Sequence, residues 1–169
     1  NPHAPQTDLY ERTVLLVDVG PEEFYIVDLF AVNGGEQHDQ SWHGLLEGVT
    51  HPELDWQIQE GGTLAGENVE QFGKWKDRWN RDREDFPSFL TNIRRTRLES
   101  PAKWTWKSGL PEEDGLNIHL IPVHGPMEVL AGQGRSPVRE EEWALDYIIA
   151  RRNNTDGSPS CFLSVLDGF

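Results

Sequence analysis

Thr13-Val14-Leu15-Leu16-Val17-Asp18-Val19, then Gly20-Pro21-Glu22-Glu23, then Phe24-Tyr25-Ile26-Val27-Asp28-Leu29-Phe30-Ala31-Val32 before Asn33-Gly34-Gly35, is the stretch that decides the fold. Two runs rich in β-branched and aromatic residues, joined by a short set of turn formers, predict an antiparallel hairpin. Apolar residues stand on both alternating phases of each run. Both faces therefore need cover, by a second sheet or by another part of the protein.

Working outward, Gln40-Ser41-Trp42-His43-Gly44 extends this sheet, and Leu45 to Gly73, rich in Gly and Glu, reads as strand fragments and loop. Phe72 to Glu84 carries Trp75 and Trp79 at a spacing of four. That spacing suits a short helix or a loop packed on a sheet. Strands return in Phe89 to Leu98, in Ala102 to Lys107 with strict alternation, and in Leu116 to Val123. Met127 to Gly132, Trp143 to Arg152 and Ser160 to Leu166 complete the set, with Ser108-Gly109 and Pro111 to Gly115 as dividers. Short strands separated by turn signals predict an all-β, antiparallel, supersandwich-like β-sandwich with at most one or two short helices. The 169 residues are expected to form a single domain with one core, residues 1–169, cut from a larger multidomain protein.

The formal net charge of −14 excludes a general nucleic-acid binder, which needs a positive field over its contact face. No apolar run approaches the ~20 residues of a membrane helix, so no membrane partner is expected. Within this acidic chain, Lys74 to Lys107 forms a basic island. It reads either as a contact for an anionic polymer or acidic domain, or as a solvated charged segment. Cys161, the single cysteine, sits among apolar residues and reads as a buried thiol.

His38, Asp39, Trp42 and His43 are the candidate site residues. Imidazole and carboxylate suit zinc, but in an extended strand positions 38 and 43 point to opposite faces, so no local metal site is expected. An imidazole can instead hydrogen-bond a sugar hydroxyl or pair with a uronate carboxylate, and Trp42 offers an apolar face to a pyranose ring. The alternative is structural: Asp28 and Asp39 tie down the Gly34-Gly35 loop while the histidines satisfy backbone groups. His119, in an apolar strand, reads as a hydrogen-bonded core histidine, and Trp104 and Trp106 read as either stacking platforms or core. No glycine-rich phosphate loop or nucleophile elbow occurs, which disfavours nucleotide and acyl-transfer chemistry. No catalytic residue is assigned.

Tyr10 to Asp18, Tyr25 to Phe30, Gly34-Gly35, His38-Asp39 and His43 together resemble consecutive sandwich strands of the heparinase II/III-like polysaccharide lyases. Leu145 to Arg152 and Phe162 to Leu166 resemble the closing strands of the same region. The resemblance implies a periplasmic or secreted parent whose N-terminal α/α-toroid packs on antiparallel sheets and cleaves acidic, uronate-containing polysaccharide by β-elimination. In that family the base and acid are largely a Tyr and a His of the toroid, and some members hold a structural zinc through motifs this chain lacks. The resemblance thus implies a toroid-supporting, cleft-lining domain, inactive by itself and without a cofactor, with His38 or His43 reaching the sugar. A stand-alone carbohydrate-binding module and a purely structural or oligomerisation domain are the competing readings.

Overall fold

The leading hairpin forms as its residues dictate: β1 (Leu9–Asp18) pairs antiparallel with β2 (Phe24–Asn33), Leu9 opposite Asn33 and Asp18 opposite Phe24. The computed structural model describes residues 7–21, 23–44, 48–77, 80–83, 86–107, 114–135, 144–154 and 156–168. Further strands are β3 (Gln37–Gly44), β4 (Val49–Thr50), β5 (Gln57–Ile58), β6 (Trp75–Lys76), β7 (Asp82–Arg83) and β8 (Thr91–Leu98). They continue as β9 (Ala102–Lys107), β10 (Gly115–Ile121), β11 (Met127–Arg135), β12 (Ala144–Asn153) and β13 (Ser160–Gly168). Among the described residues the one helical element is a 3₁₀ turn over Phe86–Phe89.

Two antiparallel sheets pack face to face, and the protein is an all-β sandwich. One sheet runs β1-β2-β13-β10-β9-β4 and the other β3-β12-β11-β8-β5. Every second residue of each strand faces the partner sheet. Phe30, Trp104, Trp106, Ile118, Leu120 and Phe162 enter the core from the first sheet; Leu98, Val129, Ile148 and Ala150 meet them from the second. Both Trp104 and Trp106 are buried, so neither serves as a stacking platform for sugar.

Residues 40–44 do not extend the hairpin sheet. Beside β2 lies β13, with Phe162 opposite Phe30, while β3 crosses over to pair with β12. The crossing is made at Gly34 and Gly35, whose φ angles of 89° and 85° suit glycine and strain other residues. Phe72 to Glu84 is not helical where it is described. Trp75 and Lys76 pair with Arg83 and Asp82 around a turn in which Asp77 accepts from Arg81 and Asn80 adopts a φ of 60°. Asparagine tolerates that left-handed conformation because its short amide bonds locally.

A second, smaller core sits on the outer face of the five-stranded sheet, where Leu90, Ile93, Leu130, Leu145, Tyr147 and Ile149 are buried with Leu64 against them. Backbone bonds from Leu64 to Leu90, Ala65 to Pro87 and Phe72 to Ser88 hold this covering segment in place. The outer face of the six-stranded sheet has no such cover among the described residues. On that face Leu15 of β1 is 54% and Leu29 of β2 39% exposed; on the opposite phase of β1, Val14 and Leu16 are 56 and 69% exposed, and Phe24 and Val19 at the hairpin tip are exposed too. Besides its backbone pairing with β2, β1 is tied down by a buried carboxylate: Asp28 accepts from Arg12 Nε and Nη2 at 2.8 and 2.7 Å, and from Gln40 Nε2 at 3.0 Å.

Candidate functional site

Strand alternation divides the four candidate site residues between the faces of β3. His38 and Trp42 point inward. His38 is buried; its Nε2 bonds the Gly34 carbonyl at 2.7 Å and its Nδ1 meets Ser160 Oγ at 2.8 Å. A carbonyl can only accept, so Nε2 carries the proton and the ring clamps the glycine corner onto β13. Trp42 is half-buried and packs on the main core. Asp39 and His43 point outward: Asp39 takes a bidentate pair from Arg151 at 2.8 and 2.7 Å, and His43 lies 4.9 Å from the Tyr147 ring. The structure therefore does not bring the four together.

The tie on the Gly34-Gly35 loop also falls to other residues than Asp28 and Asp39. Asn154 donates its backbone N–H to Glu36 and its side-chain amide to Asn33 and Gly35, alongside the His38 clamp. His119 is a half-buried residue of the outer face rather than a core histidine, with Nε2 2.7 Å from Asp167 Oδ2. Cys161 shares that outer phase and is only half-buried, because β13 alternates and Phe162 holds the inward position.

A different group of residues builds a cleft. At one end of the sandwich the inner phase of the five-stranded sheet runs past the core, and the segment from Val49 to Glu60 crosses from one sheet to the other. Between them lies a cleft of about 470 Å³ lined by His51, Ile58, Asn92, Arg94, Gln133 and Asp146, among others. That volume lies within the ~300–1,000 Å³ of small-molecule sites. Arg94 stands on the same phase of β8 as buried Leu98, which is how alternation carries a guanidinium inside the sandwich mouth.

Asp146, Gln133 and Asn92 of the cleft are held by hydrogen bonds. Asp146 accepts from Gln133 Nε2 at 3.0 Å and from the Val49 backbone N–H at 3.1 Å. Asn92, at a φ of 53°, donates to Gln133 Oε1 at 2.8 Å. Trp56 anchors its indole N–H on the Pro52 carbonyl, stands edge-on to His51, and carries the Arg94 guanidinium 5.1 Å above its ring. Burial, reinforced by the charge of Arg94, pushes the His51 imidazole down to about 4. Burial likewise lowers the Arg94 pKa, with Asp146 acting in the opposite direction.

Comparisons with family models, curated proteins and solved structures returned no match. Among the described residues no group of three His, Cys, Asp or Glu side chains is arranged to hold a metal ion. The cleft offers a cation, fixed amides and an apolar edge at Ile58, an arrangement suited to binding and orienting a polar ligand. Sequence reading placed Arg94 within the basic island and did not single out His51. The signal that could have singled out Arg94 was its position four residues before Leu98 on one strand phase.

Proposed function

We propose that this chain is a non-catalytic β-sandwich of the heparinase II/III-like kind, supporting a companion toroid-type domain and contributing one wall of a cleft for acidic polysaccharide. The observation that carries this reading is the apolar outer face of the β1-β2-β13 part of the six-stranded sheet. Antiparallel partners share a face, so Leu15, Val27 and Val165 form one row across β1, β2 and β13, and Leu29 and Leu163 form the next. An antiparallel sheet whose outer face meets water normally alternates to polar residues there. A contiguous apolar patch on such a face marks a contact surface.

The support role explains why β1 is apolar on both phases yet remains largely exposed in this chain. Affinity electrophoresis through gels containing heparin, alginate or a neutral glycan, paired with an assay for unsaturated uronate products, tests the proposal. Retardation by a uronate polymer, none by the neutral glycan, and no product release are expected. Product release by these 169 residues alone, or retardation by the neutral glycan only, would refute it.

A further inference from the structure

We infer that the cleft at the sandwich end is a binding site for a ligand bearing a single carboxylate, with Arg94 as the carboxylate's partner. Among the described residues the Arg94 guanidinium makes no hydrogen bond and no ion pair; its one ring contact is Trp56. A guanidinium offers five N–H donors in a planar fork, and a half-buried one with none engaged is matched by a carboxylate, which accepts two in parallel. Asp146, the acid whose charge acts on Arg94, makes no hydrogen bond or ion pair with it; its two oxygens accept from Gln133 and the Val49 backbone N–H. Its orientation leaves Arg94 attracted toward the cleft but unbonded.

The surroundings narrow the ligand further. Asp146 and Glu60 both line the cleft, so a phosphate or multiply sulfated group would meet repulsion that one carboxylate, neutralised by one guanidinium, does not. His51 Nδ1 is buried without a hydrogen-bond partner among the described residues, and Asn92 is exposed at the rim; both suit ligand hydroxyls. Trp56 is covered by Arg94, so it orients the guanidinium rather than stacking on a sugar. A uronic acid residue combines one carboxylate with several hydroxyls. Choosing a uronate among carboxylates rests on the acidic-polysaccharide reading above; the carboxylate itself rests on Arg94.

The test is NMR titration of the ¹⁵N-labelled chain with sodium acetate, glucuronate, glucose, inorganic phosphate and alginate oligosaccharide, following the Arg94 Nε–H and Trp56 Nε1–H resonances. Glucuronate and the oligosaccharide should shift both saturably, glucose should not, and phosphate should bind more weakly than glucuronate. Arg94→Gln should weaken glucuronate binding about 10- to 100-fold without moving the thermal midpoint, the loss expected when a charge-assisted pair is removed. Arg94→Lys, which keeps charge but loses the fork, should fall between. Should the Gln variant fail to fold, the wild-type shift map and the Lys variant decide. Shifts from acetate but none from uronates would support the carboxylate site while refuting the polysaccharide reading. Uronate binding that shifts His43 and Asp39 and ignores Arg94→Gln would overturn this site and leave that reading standing. Tighter binding of phosphate, or no shift with any carboxylate, would overturn the inference.

Discussion

Removing Arg12 should cost more than its half-exposed position suggests, because the charge it neutralises is buried. Asp28 is 1% exposed and has three donors, two from Arg12 and one from Gln40. Arg12→Ala leaves that carboxylate inside the sandwich with one amide bond. Breaking a buried pair from one side costs ~3–5 kcal/mol, and water entering where the 57%-exposed Arg12 side chain stood recovers part of it, so ~2–3 kcal/mol is expected. Asp28→Ala frees a guanidinium that can hydrate and leaves the Gln40 amide unmet, for ~1–2 kcal/mol. Once Asp28 is absent, Arg12→Ala should cost almost nothing, so the double variant should be more stable than additivity predicts by ~2–3 kcal/mol. Urea denaturation of the four proteins, with the midpoint compared at constant m-value, measures the coupling. Arg12→Lys should recover only part of the loss, since an ammonium lacks the two-pronged geometry. Additive single changes, to within ~0.5 kcal/mol, would refute the claim that this pair clamps β1 to the sandwich.

Trp104→Ala should destabilise by ~3–5 kcal/mol in the same denaturation assay, since this fully buried ring fills the centre of the main core; an unchanged midpoint would contradict its packing role. Stability should also fall in acid through His51. Its imidazole is held down to about 4 in the fold against ~6.5 in the unfolded chain, so its contribution is complete above ~6.5 and is lost as pH falls through about 4. His51→Asn should flatten the stability profile in that window, and an identical slope in both proteins would exclude His51 as its source. Replacing Leu15 with Lys and Leu16 with Glu should change unfolding free energy by less than ~0.5 kcal/mol while reducing dye binding and self-association. A large loss of stability would mean that these side chains pack within the chain rather than serving a contact surface.

Strand positions were legible because they follow from local chemistry. Ala102–Lys107 coincides with the sequence assignment, and β12 and β13 differ from it by a residue or two at their ends where described. The error at Gln40–Gly44 has a different origin: a run of polar and aromatic residues carries no mark of which neighbour it pairs with. That choice was made by β13, whose Phe162 packs beside Phe30 and displaces β3 to the opposite sheet. The short ribbon at Trp75–Lys76 and Asp82–Arg83 was hidden because its tryptophan spacing also fits a helix.

The candidate site was less legible than the fold. Proximity in sequence pointed to His38, Asp39, Trp42 and His43, yet a strand separates alternate residues onto two faces, and His38 and Asp39 are engaged by Gly34, Ser160 and Arg151. Arg94, His51 and Asp146 lie far apart in sequence and meet only because the crossing segment and three strands end at one mouth of the sandwich. Composition and periodicity by themselves determined an acidic, all-β, hairpin-led chain, since hydrophobic alternation and turn residues act over a few positions. Which edge stays apolar and open, which carboxylate is buried, and which cation is left unpaired were decided by strand order, because burial and pairing depend on neighbours that only the tertiary fold supplies.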